Sequence, residues 1–360
     1  MKTKQIIFLT GATGSLGSYL LKVMLQNGHK VYVLARSKTN ISARERILNL
    51  LSFWKLSISQ RELNNRLNII EGDIALPLLG TRKVDLNNII CDANIFFHSA
   101  ALAEFRVPLE KIRAINLTGV KNVLHVCSMC RQIQKFNHVS TIYVAGTKVG
   151  DRFSEEKLSM GQNFNNTYEQ SKFEAEQYIN QLNEKNYKIT IFRPSMIIGD
   201  SISGRTTSFK LIYDPIHFFS QNIYKYFPGD ASCLQNLINV DVASQIIYSL
   251  GILNESSVYH VISPNSIKIG YILDIAADYF GFQLPSLIPI NKFDFSKWTP
   301  VQRKLADPFI PYFNYSTNFV SNNSLKKIRN LGLKLPNINK ADLKRAFSYC
   351  VERNFIKKHE

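Results

Sequence analysis

Two rhythms of apolar residues alternate along the first half of this chain. Residues 5–10 form a short apolar run, and residues 30–36 set Val31, Val33 and Ala35 against Tyr32 and Leu34. Both patterns predict β-strands. Between them, residues 15–27 place Leu16, Tyr19, Leu20, Val23 and Met24 at helical spacing, and Gly28 supplies a stop signal. The alternation continues. Residues 67–71, 94–98, 136–140 and 188–193 read as strands, and residues 108–131 and 168–186 as helices. Repeated strand–helix units predict an α/β fold, a doubly wound parallel sheet with helices on both faces.

The rhythm changes after Gly199. Residues 209–227 hold seven aromatics, Phe209, Tyr213, Phe218, Phe219, Tyr224, Tyr226 and Phe227, which suit either core packing or an apolar substrate wall. Residues 237–253 read as a strand end and a helix returning to the main sheet, and residues 258–262 as another strand. From Ser263 the spacing is irregular, with helical patterns only at residues 324–331 and 340–351. The expected division is a nucleotide-binding domain over residues 1–205, to which 237–262 returns. Residues 206–236 and 263–360 then form a smaller, interleaved C-terminal substrate lobe.

The first strand–helix junction carries Thr10-Gly-Ala-Thr-Gly-Ser-Leu-Gly17. Gly11 permits a tight turn, Gly14 lets the backbone approach a pyrophosphate, and Gly17 lets helix and strand pack closely. The helix N-terminus adds free N–H groups for phosphate. A cofactor with a free ribose 2′-hydroxyl meets Asp or Glu at the end of the second strand. Arg36 stands there instead, and its guanidinium fork suits a 2′-phosphate, hence NADP(H). Arg46 is positioned to reinforce it or to serve as a solvated helix residue. Gly72-Asp73-Ile74, after the third strand, either brings a carboxylate to the adenine amino group or forms an acidic turn.

Tyr168 and Lys172 lie four residues apart, one turn along one helix face. An ammonium beside a phenol favours the phenolate and lowers its pKa. Such a pair moves a proton at a carbonyl or alcohol oxygen.

Charge and cysteine usage narrow the setting. The chain has 44 Lys and Arg against 27 Asp and Glu, a net charge of +17, which favours anionic partners. The basic residues are scattered, without a block or module for nucleic acid. No apolar run is long enough to span a membrane. Residues 6–9 are too short an apolar run for a signal-peptide core. The cysteines number five, an odd and sparse set that points to a reduced compartment, so the expected location is cytoplasmic. Cys127 and Cys130 have redox spacing but fall in an apolar helical pattern and read as buried structural residues.

Several segments together resemble the extended short-chain dehydrogenase/reductases. They are Thr10 to Gly17 with Leu34-Ala-Arg36, Phe97-His98-Ser99-Ala100-Ala101-Leu102, Asn116-Leu-Thr-Gly119, His138-Val-Ser-Thr141-Ile-Tyr-Val-Ala-Gly146, Phe164-Asn-Asn-Thr-Tyr168-Glu-Gln-Ser-Lys172-Phe-Glu-Ala-Glu176 and Ile191-Phe-Arg-Pro194-Ser. The narrower likeness is to the thioester reductase group: terminal reductase domains of peptide synthetases and carboxylic acid reductases, and fatty acyl-CoA reductases. It covers residues 6 to about 205, continues weakly over 237–247, and leaves the last hundred residues unmatched.

The resemblance implies a Rossmann-type fold, an NADP(H) cofactor and reduction of an acyl thioester to aldehyde or alcohol. Tyr168 would donate the proton, Lys172 would lower its pKa and hold the nicotinamide ribose, and Thr141 would bind the substrate oxygen. Asn116 would order a relay water or serve as a structural side chain. The cofactor would meet Gly11, Thr13, Gly14, Ser15, Leu16, Gly17, Arg36, Arg46, Asp73, Ile74, Ser99, Ala100 and Ala101, with Pro194 and Ile197 facing the nicotinamide. No adenylation, condensation or carrier segment is recognisable, so the thioester would arrive in trans, on an acidic carrier protein or as acyl-CoA. Two other readings stay open: a ketone, hydroxysteroid or sugar-nucleotide oxidoreductase, and a non-catalytic NADP(H)-sensing protein. Arg36 speaks against an NAD-retaining epimerase; intact Thr141, Tyr168 and Lys172 speak against a sensor.

Overall fold

The computed structural model describes residues 4–147, 152–182 and 186–359. Seven strands form the central sheet: β1 (Ile6–Thr10), β2 (Lys30–Ala35), β3 (Leu67–Glu71), β4 (Ile95–His98), β5 (Lys135–Val139), β6 (Lys188–Pro194) and β7 (Ser257–Val261). Their order is β7-β6-β5-β4-β1-β2-β3, and every pairing is parallel. The chain steps outward from β1 to β3, crosses back to β4, and then steps outward the other way. This is the Rossmann-type, doubly wound arrangement. The switch point lies between the C-terminal ends of β1 and β4, where open sheets of this kind hold their ligands.

Helices cover both faces, which explains why the strands read as continuous apolar runs rather than alternating ones. Phe8, Phe96 and Phe136 stand in register across β1, β4 and β5, fully buried on one face. Each such side chain contributes about 1.5–3 kcal/mol through burial. On the other face Leu9 and Phe97 pack into the core formed with Leu20, Val23 and Met24 of the Ser15–Gln26 helix. That helix ends where Gly28 takes a φ of +82°, a conformation that side chains with a Cβ resist.

Several elements differ from their sequence reading, and residues 263–323, read as irregular, contain the helices Ile269–Phe280 and Pro300–Ala306. The helical stretch at 108–131 is two helices, Leu109–Asn116 and Thr118–Met129, because the chain turns at Leu117. The helix expected at 168–186 is Thr167–Asn180, with Asn166 as its cap accepting from the Glu169 N–H at 3.0 Å. Residues 183–185 of that expectation lie outside the described residues. Leu237–Asn239 does not join the main sheet; it pairs with Met196–Ile198 in a separate two-stranded sheet. The Val240–Gly251 helix that follows shares a core with the Ser15–Gln26 helix.

A second core gathers Tyr213, Phe219, Tyr224 and Phe227 with Ile272, Phe280, Phe313 and Phe347. Most of the aromatic stretch at 209–227 is therefore packing. Cys127 and Cys130 are buried, and burial pushes the Cys130 thiol up to about 12, which makes it inert.

One buried ion pair ties the sheet to the Thr167–Asn180 helix. Arg193 on β6 and Glu176 on the helix are 1% and 0% exposed and meet at 2.7 Å. Arg193 also donates to the Lys157 carbonyl at 2.9 Å and stacks over Phe153. Removing one partner leaves the other charge buried and uncompensated. Glu176→Gln should cost about 3–5 kcal/mol of folding stability. Urea denaturation checks this, and a loss below about 1 kcal/mol would show that water or other groups compensate Arg193.

Candidate active site

Two connected cavities open along the C-terminal edge of the sheet. The first lies over the glycine-rich turn and is lined by Thr13, Gly14, Arg36, Asp73, Ile74 and Ala100 among others. The second, an open cleft of about 390 Å³, continues from it past Ser15, Leu16, Gly17, Pro194 and Ile197 to Thr141, Tyr168 and Lys172. Gly11, Gly14, Ser99 and Ala101 belong to both.

The three glycines of the turn serve different needs. A Cβ on Gly11 would fall 2.4 Å from the Ala100 nitrogen, and one on Gly17 would fall 2.2 Å from the Gly11 carbonyl oxygen. Protein packing alone requires both. Gly14 is different: its φ of −91° is ordinary, and a Cβ there would meet only the Gly11 oxygen at 3.4 Å. Neither backbone nor packing demands glycine, so the remaining reason is close approach of something in the cavity. Gly14 also caps the Ser15–Gln26 helix without a side-chain acceptor. Its first-turn N–H groups therefore suit a phosphate. These features fit a dinucleotide. Ser140 and Ser195 add two buried hydroxyls on the cleft wall with no protein partner.

At the far end of the first cavity Arg36 and Arg46 come together. Arg46 donates to the Arg36 backbone carbonyl, and burial, then the Arg36 charge, lowers its pKa. Arg36 itself reaches the Asp73 carboxylate at 2.9 Å. Asp73 thus faces Arg36 as well as the cavity, and it also caps the Ala75 N–H.

The catalytic candidates Thr141, Tyr168 and Lys172 share the cleft. Thr141 ends β5's extension and begins a short turn, Ile142–Ala145, accepting the Tyr143 N–H at 3.3 Å. Its hydroxyl hydrogen-bonds the Tyr168 phenol, which lowers the phenol's pKa. Burial outweighs that bond, the charge of Glu169 adds to burial, and Tyr168 is pushed up to about 12. The Lys172 ammonium does not hydrogen-bond the phenol directly; it donates to the Val139 carbonyl at 2.6 Å and lies 3.4 Å from His138 Nε2. Helical spacing brought the two side chains to one face, but the buried ammonium went to the nearest carbonyl. Burial lowers Lys172 to about 8, with the Glu176 charge opposing. Beneath it His138 and His98 stack at 5.5 Å, both held neutral, chiefly by burial.

Asn116 stands apart from the cleft. Its side chain accepts the Leu102 N–H at 2.7 Å and donates to the Leu102 carbonyl and to Ser171 Oγ at 2.9 Å. Both amide protons are committed, so it braces the loop after β4 against the Thr167–Asn180 helix. The cleft also contains residues that sequence reasoning missed: Phe105, Tyr143, Lys210 and Tyr312. Tyr312 comes from the irregular C-terminal part, where no periodicity marked it.

Among the described residues no helix is long and apolar enough to cross a membrane. The sequence profile described as male sterility protein, an NAD-binding family, matches residues 9–247. The chain is 27% identical over 268 residues to the fatty acyl-CoA reductase wat of Drosophila melanogaster, covering 66% of this chain and 52% of that protein. It is 29% identical over 209 residues to the nonribosomal peptide synthetase asaC of Aspergillus flavus, covering 55% of this chain and 20% of that one. The chain therefore spans about half or less of these curated relatives. In fold it superposes on the terminal R domain from the myxalamid PKS-NRPS biosynthetic pathway with a TM-score of 0.86 at 24% identity, covering 100% of this chain and 94% of that one. The chain belongs to the male sterility protein family of NAD(P)-binding, thioester-reductase-like extended short-chain reductases.

Proposed function

We propose that the protein is an NADPH-dependent reductase of acyl thioesters, releasing an aldehyde that the same site can reduce to the alcohol. The observation that carries this is the convergence of the Thr141 and Tyr168 hydroxyls, hydrogen-bonded to each other, on the wall of a cleft continuous with the nucleotide cavity. Bound NADPH would supply the hydride that reduces the thioester carbon. The Tyr168 phenol, kept protonated by burial, donates its proton to the oxygen. The Thr141 hydroxyl donates a hydrogen bond to the same oxygen as its charge develops. The resulting hemithioacetal collapses to aldehyde and thiol. Lys172, anchored on Val139, keeps a positive charge at the cleft floor near neutral pH.

The paired guanidiniums of Arg36 and Arg46 support NADPH over NADH, because the 2′-phosphate gives their charges a partner. The acyl donor is a carrier-bound or coenzyme A thioester, in keeping with the net charge of +17, and an acidic carrier protein is the expected macromolecular partner. Burial of four of the five cysteines suits a reducing cytoplasm. The site lies between a nucleotide-binding domain, residues 1–205 joined by 237–262, and a C-terminal substrate lobe.

Tyr168→Phe should lower kcat for acyl-CoA or loaded carrier protein about 10²–10⁴-fold while NADPH binding stays unchanged; turnover of a sugar nucleotide or steroid instead would overturn the thioester reading. Arg36→Ala, and separately Arg46→Ala, should weaken NADPH about 10–100-fold and leave NADH nearly unaffected, as read by fluorescence titration. Equal losses for both cofactors would assign the arginines another role. Lys172 loses its proton as pH rises through about 8, so kcat/KM should fall above that pH. Tyr168, at about 12, adds no limb in the working range. A flat profile to pH 9.5 would remove Lys172's charge from the mechanism.

A further inference from the structure

Beneath the cleft floor two histidines occupy places that an apolar core would fill with phenylalanine. His138 of β5 and His98 of β4 are fully buried, and their rings stack at 5.5 Å. His98 stacks in turn on Phe136 at 6.4 Å. The column runs from one cavity to the other. Thr10 Oγ1, on the wall of the nucleotide cavity, lies 2.7 Å from His98 Nδ1, and the Lys172 ammonium, in the cleft, lies 3.4 Å from His138 Nε2.

Each ring's tautomer follows from its partner. An ammonium only donates, so His138 Nε2 is the acceptor and the ring proton sits on Nδ1. Thr10 Oγ1 accepts the Ala100 N–H at 3.3 Å, which leaves its own hydrogen for His98 Nδ1 and puts the His98 proton on Nε2. These two N–H groups, His138 Nδ1 and His98 Nε2, are buried without a partner among the described residues. An unmet buried donor costs stability that a phenylalanine in the same place would not lose. Packing therefore does not explain the imidazole of His138. What it offers that an apolar ring lacks is one lone pair beside Lys172.

The ammonium has three N–H groups to place. The Val139 carbonyl takes one at 2.6 Å, and His138 Nε2 takes a second over the longer contact. Both acceptors belong to neighbouring residues of β5, so they hold the ammonium from the sheet side. Around it stand Glu176 on its own helix, paired with Arg193 of β6, then His138 and His98 on the sheet and the Tyr168 phenol in the cleft. Glu176 supports the ammonium's charge, and burial opposes it.

We propose that His138 is a positioning residue: with the Val139 carbonyl, its Nε2 lone pair holds the Lys172 ammonium charged against the sheet and leaves the third N–H for the cleft. Its consequence for turnover rests on the reductase reading above.

His138→Leu removes the lone pair and the unmet donor together, and His138→Gln returns a carbonyl acceptor. An acceptor lost from an ammonium disfavours the charged form, so in His138→Leu the Lys172 proton should leave about one pH unit below the wild-type value. From a wild-type value of about 8, kcat/KM should then fall about fivefold at pH 8 and stay near wild type at pH 6. His138→Gln should recover most of the loss. A residue that only packs would lower turnover by one factor at every pH. Such a uniform loss, an unchanged profile in His138→Leu, or a Gln variant as impaired at pH 8 as the Leu variant would overturn the proposal. Nitrogen NMR of lysine-labelled protein, with Lys172 assigned through Lys172→Met, follows the ammonium directly, and melting temperature is the fold control. If the wild type reduces no thioester, the reductase reading fails, and the NMR titration still decides the contact. A lower Lys172 midpoint in His138→Leu supports it; an unchanged midpoint overturns it.

Discussion

The Thr167–Asn180 helix buries four polar side chains beside Phe173, Ala175 and Ile179, and the surrounding structure answers to that fact. Glu169, Ser171, Lys172 and Glu176 are all fully or almost fully inaccessible to water. A buried polar group without a partner costs about 1–3 kcal/mol, and a buried charge more. Each therefore draws a partner from a distant segment. Lys172 takes the Val139 carbonyl at the end of β5, Glu176 takes Arg193 on β6, Ser171 takes Asn116, and Glu169 takes Tyr312. These four links hold the loop after β4, two sheet strands and the C-terminal segment around one helix. The same helix supplies Tyr168. Fold and site are thus one hydrogen-bonded assembly, and a change at any partner reaches the phenol through the helix backbone.

The proposed direction of the proton chemistry accords with the same burial. A phenol beside a strong, close cation would be poised as a base, suited to oxidising an alcohol. In this protein burial and Glu169 keep the phenol protonated, and the Thr141 bond offsets only part of their effect. A protonated phenol is a donor, which is what an oxygen gaining charge during reduction needs. The Lys172 ammonium spends its hydrogen bond on the Val139 carbonyl rather than on the phenol.

Local chemistry was legible in the sequence; distant partners were not. The glycine turn could be read because each glycine answers to a constraint within a few residues or across the adjacent strand. The place of Arg36 on the nucleotide cavity could be read because it follows directly from the end of β2. Hydrophobic periodicity located the strands because the parallel sheet is buried on both faces. It overextended the helix at 108–131, since an apolar pattern carries on through Leu117 where the backbone turns. Helical spacing placed Tyr168 and Lys172 on one face but could not say which acceptor the ammonium would choose. Asn116 read either as ordering a relay water or as a structural side chain, and its amide is committed to Leu102 and Ser171. Tyr312 lay beyond reach, because its importance comes from a contact 143 residues away in the chain.

The arginine pair shows the opposite side of this electrostatic economy. Where the catalytic helix satisfies every buried charge, the far end of the nucleotide cavity leaves positive charge in excess. Arg46 spends a hydrogen bond on the Arg36 carbonyl, and burial, then the Arg36 charge, disfavours its own charge there. Asp73 neutralises only one of the two guanidiniums, through a partly exposed contact of the kind worth at most about 1 kcal/mol. Such an arrangement is unfavourable unless an anion completes it, since like charges gathered by folding oppose folding. A doubly charged ribose phosphate balances the pair; a neutral hydroxyl leaves it unbalanced. The proposed preference for the phosphorylated cofactor draws on this repulsion, before any contact with the rest of the dinucleotide is counted.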